Sequence, residues 1–339
     1  MDFLNKEVVL LDMYVSIVIP IYNVAPYIDR CLKSVINQTY TGSMECMIVD
    51  DCGTDDSIII VRRLVREYRG PIRFQILQHD HNRGLSAARN TGTDAATGDY
   101  IFYLDSDDEL PHDCIEKLTR PIQDNPRIEI VVGNYFRFCP ESPRSPEKWR
   151  ELNKEDEFNT NKDVRDLFYN ENGYPISAWN KLIKKDFLLS NHLYFKEGLL
   201  HEDWLWTHHV LKHLSCLHIL PDITYLYSKH SQSITMGTSK DVRAYNMGIV
   251  YEEIATNFTH GEEARETMHY LHGFCILLCE NPKFLSLQRT SRLFLQALSN
   301  GHHTLERLML STIILLSKSA LGRSLFSIAI NIKRWLKRC

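Results

Sequence analysis

Between Tyr14 and Asp108, short apolar, β-branched runs alternate with longer amphipathic stretches, and few folds accept that rhythm. Val15–Pro20, Cys46–Asp51, Arg73–Gln78 and Asp99–Asp105 have the length and composition of buried strands, while Pro26–Asn37, Thr54–Tyr68 and Ser86–Ala96 read as helices. Strands and helices in alternation build parallel β-α-β units, whose loops gather at the carboxyl ends of the strands, where ligands bind in open sheets. The turn and capping stretches Asp55-Asp56-Ser57 and Asn82-Arg83-Gly84 lie at two of these helix starts. An α/β fold is therefore expected, with a mostly parallel sheet flanked by helices.

After Asp108 the rhythm changes. The pattern predicts a helix over Asp113–Gln123, a strand over Ile128–Phe138, and then a polar, proline-bearing stretch, Pro140–Asn161, that is either a surface loop or an insertion. Helical patterns resume at Ala178–Ser190 and His201–His213, two short strands follow at Cys216–Leu220 and Thr224–Tyr227, and from Lys240 the chain reads as helices.

With 339 residues, 44% of them hydrophobic, the chain can bury a sizeable core. No run of 18 apolar residues appears, and the first thirteen residues offer neither a basic leader region nor a small-residue cleavage site, so a cytoplasmic protein is expected. Nine cysteines without a CxxC pair read as reduced thiols rather than a disulfide framework or zinc site. The net charge of −4 hides an asymmetry: residues 281–339 carry ten Lys/Arg against one acid, leaving −13 on residues 1–280. A nucleic-acid enzyme concentrates positive charge on its working surface, and that class is excluded here.

The residues that carry chemistry sit at the predicted strand ends. Tyr100 to Leu104 is apolar and ends in Asp105, Asp107 and Asp108. Clustered carboxylates repel unless a positive charge sits among them, so the segment reads as a site for Mg²⁺ or Mn²⁺, or else as a solvated acidic turn. One unit earlier, Asp50 and Asp51 end another strand; a carboxylate there either accepts a hydrogen bond from a nucleobase N–H or caps the next helix, a role that Asp55 or Asp56 can also fill. Between them, His81 to Gly92 forms a glycine turn leading into a small-residue helix with Arg83 and Arg89, either of which suits a diphosphate. Downstream, Glu202 and Asp203 adjoin Trp204 and Trp206, a setting for a general base or simply a helix start. The histidines His79, His81, His201, His208, His209 and His213 lack metal-ligand spacing and read as surface or packing residues. Neither a GxGxxG turn nor a Walker A sequence is present.

Read together, these segments resemble family 2 glycosyltransferases of the GT-A fold, especially bacterial enzymes that assemble capsular, exo- or lipopolysaccharide. The resemblance rests on Val15–Asn23, Cys31–Tyr40, Ile48–Asp51, Asn82–Gly92 and Gly98–Asp108, and continues more thinly through Trp179–Leu182, Glu202-Asp203, Tyr225–Tyr227 and Ser233-Ile234. It implies a nucleotide-sugar half over residues 14–110 and an acceptor half over 111–238; residues 1–13, patternless and ending in a methionine, read as an N-terminal extension, and 239–339, outside the resemblance, reads as an all-helical region. The resemblance also implies that Asp105-Ser106-Asp107 is a DxD motif, with Asp107 on the metal and Asp105 on metal or ribose. Asp51 would then recognise the base beside Tyr22 and Pro20, Arg83 or Arg89 would lie near the diphosphate, and Asp203 would deprotonate the acceptor. The implied reaction is inverting transfer of one sugar from a nucleotide-activated donor, a UDP-sugar, to a lipid-linked glycan acceptor, with Mn²⁺ or Mg²⁺ as cofactor. The QxxRW signature of processive synthases is missing, and Asp51-Cys52-Gly53-Thr54 replaces the usual Asp-Asp-Gly-Ser turn. A sugar nucleotidylyltransferase and a non-catalytic nucleotide-sugar binding subunit are the rival readings.

Within residues 305–339, Leu321, Leu325, Ile328, Ile332 and Trp335 recur at helical spacing, with Lys333, Arg334, Lys337 and Arg338 at the basic end. This amphipathic tail suits peripheral attachment to the inner face of the cytoplasmic membrane, or packing against the catalytic domain or the second copy in a homodimer.

Overall fold

The computed structural model describes residues 13–139, 147–148, 155–169, 175–230, 233, 238–256 and the single positions 266, 269, 270, 273, 274, 277, 290 and 292. The chain divides into two compact units. One comprises Met1–Phe168, Asn172–Gly198 and His209–Ser233; the other comprises Tyr169–Glu171, Leu199–His208 and Ile234–Cys339.

The first unit is built on a nine-stranded sheet. Its parallel part contains β1 (Val15–Ile21), β2 (Met44–Asp50), β3 (Arg73–Gln78) and β4 (Tyr100–Tyr103), in the order β3-β2-β1-β4. Every residue of β1, β2 and β4 is buried, as expected of strands covered on both faces. Helices α1 (Ala25–Ile36), α2 (Ser57–Glu67) and α3 (Leu85–Ala95) make the crossovers. Beyond β4 the sheet becomes mixed. The strand β5 (Ile130–Phe138), preceded by α4 (Cys114–Asp124), pairs with β6 (Glu147–Lys148), with β8 (Lys181–Lys184) and, in parallel, with β9 (Leu217–Ser228). Strand β8 runs antiparallel to both β4 and β5, and β7 (Asp156–Phe158) closes the far edge on β9.

Three sequence expectations need correction. Ala178–Ser190 is not one helix: β8 occupies Lys181–Lys184 and a short α6 follows at Lys185–Ser190. A four-residue strand is too short for periodicity to separate it from a helix. The two strands foreseen over residues 216–227 are one, β9, in which Pro221 lies where the ladder with β5 shifts register. Such a position tolerates the missing N–H. Pro140–Asn161 is not all loop, because β7 lies within it and α5 (Asn161–Tyr169) begins at its end. Helix α7 (Glu202–His213) matches its expectation to within a residue, and α8 (Lys240–Thr256) begins at the expected Lys240. Residues 1–12 and the amphipathic tail lie outside the described residues.

Small residues in α3 let it lie close to the sheet: a Cβ on Gly92 would sit 2.3 Å from Val18 Cγ1. At the amino ends of the strands, the fully buried Glu45 organises the turn that leads into β4. Its carboxylate accepts from the Ser16 hydroxyl (2.7 Å), the Tyr14 hydroxyl (2.9 Å), the Gly98 N–H (3.2 Å), and the N–H and hydroxyl of Thr97. Burial alone raises its proton affinity, yet the hydrogen bonds from Thr97, Ser16 and Tyr14 outweigh burial and hold the pKa below the ordinary glutamate value. A folded pKa below the unfolded value of about 4.3 adds stability above that pH, and the gain is lost as pH falls through the depressed value. Glu45→Ala, which strands several buried donors, should lower the unfolding free energy by about 3 kcal/mol in urea denaturation and remove this acid-side dependence. Unchanged stability in that variant would show that the turn does not rely on the carboxylate.

Candidate active site

The site lies in the first unit, at the carboxyl edge of the parallel strands, and its base is the β4 end. Asp108 is fully buried. It accepts hydrogen bonds from the Tyr225 hydroxyl (2.8 Å) and the Ser228 N–H (2.7 Å), while that same hydroxyl receives the Asp105 N–H (3.2 Å). From α1, Arg30 adds a further tie: its guanidinium donates to the Asp107 carbonyl (3.0 Å) and the Ser228 hydroxyl (2.9 Å) and lies 3.5 Å from Glu109. The acidic loop is thereby held to the end of β9.

Asp105 and Asp107 are left facing the site with their side chains about a quarter exposed. Arg89, almost wholly buried, pairs with Asp105 at 2.7 Å. His230 meets Asp107 through Nε2 at 2.8 Å and stacks on Tyr27 with centroids 4.2 Å apart; its buried Nδ1 finds no partner among the described residues. Burial first, and then the neighbouring carboxylates, push the proton affinities of Asp107 and Asp108 above the usual range, with the His230 hydrogen bond partly opposing this for Asp107. The loop thus stores like-charge repulsion that an added cation relieves. Among the described residues no three His, Cys, Asp or Glu side chains form a ready-made metal cage. A hard cation here would draw remaining ligands from water or phosphate oxygens, as Mg²⁺ and Mn²⁺ sites commonly do.

The second part of the site stands at the β2 end. Asp51 is buried, and its carboxylate accepts from the N–H groups of Arg83 and Gly84 (2.8 Å each) and from His79 Nδ1 (2.7 Å). His79 Nε2 reaches the Thr91 hydroxyl at 2.9 Å, so Asp51, His79 and α3 are locked together. Gly84 supports this geometry with φ of +88°, where a side chain would be strained. Two neighbouring turns are cross-tied by Asn23 Oδ1, which accepts the Thr54 N–H at 2.7 Å. Cys52 and Asn23 both adopt left-handed φ, 56° and 52°, and the Cys52 thiol donates to the His79 carbonyl. Asp55 accepts the N–H groups of Ala25 (2.8 Å) and Ser57 (3.0 Å), so it joins the starts of α1 and α2 and leaves Asp51 free of capping duty.

The expected residues fall as follows. Pro20 is buried in β1, Tyr22 just beyond it is 47% exposed, and Asp51, Arg83, Arg89, Asp105 and Asp107 converge on one sheet edge. Arg83 is more open than Arg89 and holds Glu197 at 3.0 Å. Asp203 stands on the first turn of α7 in the second unit; it is partly exposed, whereas Glu202 is buried. Sequence reasoning passed over Arg30 and His230, gave Tyr225 no role beyond the resemblance, and took His79 for a surface or packing residue, whereas it is buried and bonds Asp51. His230 lies between the Tyr225–Tyr227 and Ser233-Ile234 segments that carry the resemblance and had no signal of its own.

Comparison with known proteins gives the family and the fold. The family model described as Glycosyl transferase family 2 matches residues 16–188, which is 173 of the 339 residues. The chain is 29% identical over 236 residues to the glycosyltransferase GlyG of Streptococcus pneumoniae, covering 65% of this chain and 72% of that protein. Among solved structures it resembles S. aureus TarS 1-349 in complex with UDP-GlcNAc, with a TM-score of 0.63 at 22% identity over 84% of this chain and 81% of the other. It also resembles a mannosyltransferase of Pyrobaculum calidifontis in complex with GDP-Man and Mn²⁺, with a TM-score of 0.53 at 18% identity over 92% and 83% of the two chains.

Proposed function

The chain belongs to glycosyl transferase family 2 and has the GT-A fold, and from that premise we propose that it transfers a single sugar from a UDP-sugar to a hydroxyl of a lipid-linked glycan during cell-surface polysaccharide synthesis. The observation that carries this reading is the pairing, on one sheet edge, of the anchored acidic loop at β4 with the buried Asp51 at β2. Asp51 spends three acceptor positions on the segment that follows β3, and a carboxylate has about four, which leaves room for one base N–H beside Tyr22. Arg83, on the rim, offers its guanidinium to the diphosphate in exchange for Glu197, while Arg89 keeps Asp105 in place.

Asp105 and Asp107 fit a divalent cation that draws its other ligands from water or phosphate, because positive charge relieves the repulsion between the two carboxylates. When bound, Mn²⁺ or Mg²⁺ would supply charge stabilisation to the departing diphosphate. Asp203, more open than Glu202 and flanked by Trp204 and Trp206, is assigned the proton of the acceptor hydroxyl. The deprotonated oxygen then attacks the anomeric carbon opposite the diphosphate, which inverts it. The relatives with UDP-GlcNAc and with GDP-Man and Mn²⁺ support a nucleotide-sugar donor and a metal, and differ in the base.

Release of nucleoside diphosphate from a panel of UDP, GDP and dTDP sugars, with Mn²⁺ present, tests the donor class; UDP-sugars should turn over, and turnover confined to another base would overturn that choice. Asp107→Ala should abolish turnover and leave the thermal unfolding temperature within a few degrees of wild type. Full activity in excess EDTA would rule out the cation. Asp203→Asn should keep nucleotide affinity and lose roughly 10² to 10⁴ in kcat. Wild-type turnover in that variant would pass the role to Glu202.

Among the described residues no helix is long and apolar enough to cross a membrane. Attachment is assigned to the basic, amphipathic sequence over 305–339, where each of Lys333, Arg334, Lys337 and Arg338 contributes about 1 kcal/mol against anionic lipid. The full chain should sediment with phosphatidylglycerol vesicles and not with phosphatidylcholine vesicles, and replacing these four residues with Gln should release it. Sedimentation unaffected by the replacements would contradict the assignment.

A further inference from the structure

The Trp179-Asn180-Lys181-Leu182 segment has no part in the chemistry above, yet the fold fixes it firmly. Asn180, at φ of 61° and buried, donates to the carbonyls of Gly133 (2.8 Å) and Asn134 (3.2 Å) and accepts from the Thr224 hydroxyl (2.6 Å). It clamps the start of β8 onto β5 and β9 where their register is irregular. Bulges of this kind re-aim side chains beside functional sites.

What they aim is an aromatic platform. The Trp179 indole lies nearly parallel to the Tyr225 ring (4.5 Å, 15°) and the Tyr227 ring (5.4 Å, 12°), with Tyr135 edge-on at 4.9 Å. Tyr225 is buried and is the residue that bonds Asp108 and the Asp105 N–H, so the platform is anchored to the acidic loop itself. Trp179 and Tyr227 are only partly buried. Among the described residues neither the indole N–H nor the Tyr227 hydroxyl has a hydrogen-bond partner, although neither atom is shut off from solvent. Flat apolar surface with unpaired polar tips suits a pyranose, which presents an apolar C–H face and a rim of hydroxyls.

Its place in the sheet selects which sugar. In the strand order β3-β2-β1-β4-β8-β5-β9, Asp51 directly follows β2, the acidic loop follows β4, and the platform draws on β5, β9 and the residue two before β8. A donor reaching from Asp51 to the acidic loop occupies one side, and the platform occupies the other, from which an attacking hydroxyl enters. We propose that Trp179 and Tyr227 form the subsite for the acceptor pyranose, with a sugar ring against the indole and a hydroxyl bonded to the indole N–H or to Tyr227. This rests on the donor reading of Asp51 and the acidic loop.

Saturation-transfer difference NMR tests it on the full chain with UDP and diamagnetic Mg²⁺ present. The probes are the methyl β-glycosides of glucose, galactose and N-acetylglucosamine at millimolar concentration. In the wild type, ring protons of at least one glycoside should receive saturation. In Trp179→Leu that signal should fall by about threefold or more, while the uridine H5 and H6 signals persist. Trp179→Phe keeps a ring on the two tyrosines and serves if the leucine variant fails to fold; its glycoside signal should fall and its uridine signals stay. Equal glycoside saturation in wild type and Trp179→Phe would overturn the subsite, as would uridine signals without any glycoside signal in the wild type. In a parallel sample holding UDP-GlcNAc in place of UDP, Trp179-dependent saturation of its sugar ring alone, with the glycosides silent, would also overturn the acceptor assignment. Trp179-dependent glycoside saturation without uridine signals would support the subsite and refute the donor reading instead.

Discussion

A carboxylate taken fully out of water is costly unless donors meet it, and Asp108 is such a group at the end of β4. Tyr225 and the Ser228 N–H meet it, which requires β9 to pass beside the β4 end, and Arg30 of α1 closes the same junction from the other side. The mixed half of the sheet therefore holds the acidic loop of the parallel half in place. By binding Asp108, β9 frees Asp105 and Asp107 to face outward and delivers His230 to within 2.8 Å of Asp107. Two arginines then neutralise the cluster unevenly. Arg89 engages the Asp105 carboxylate, whereas Arg30 reaches only the backbone of Asp107, so among the described residues no arginine pairs with the Asp107 carboxylate.

The β2 end solves a different problem. Its carboxylate is buried as well, but its partners are mostly backbone N–H groups of the loop between β3 and α3, and such donors cannot rotate away. Asp51 consequently fixes the path of residues 82–84 before any ligand arrives. His79, Asn23 and Asp55 brace the surrounding turns in the same manner. The Cys52 in this turn is accommodated by a left-handed backbone and a thiol bond to the His79 carbonyl, so the departure from the usual Asp-Asp-Gly-Ser leaves the carboxylate in place.

Legibility followed the range of the forces involved. Strands β1 and β2 and helices α1 to α3 were readable because each is buried or amphipathic over a length that shows its period, and β4 because its apolar run ends abruptly in carboxylates. Asp51, Asp105 and Asp107 were readable because clustered carboxylates at the end of an apolar run are locally anomalous. Strand β8 was not, since its identity as a strand depends on β4 and β5 standing on either side of four residues that could equally begin a helix. The unity of β9 was hidden by Pro221-Asp222, which looks like a turn until β5 supplies an irregular ladder that does not need the missing N–H.

The sequence by itself determined the α/β class, the order of the first seven elements, the sheet edge that carries the site and the residue types presented there. All of these follow from periodicity, from chain chirality and from charge placed against apolar runs, which are properties of neighbouring residues. Only the tertiary structure decided which groups complete the site. His230 reaches Asp107 across 123 positions, Tyr225 reaches Asp108 across 117, and Trp179 settles on two tyrosines more than forty residues later. None of those pairings has a local signature, because each is chosen by the burial of one carboxylate and by the strand order that brings its donors near.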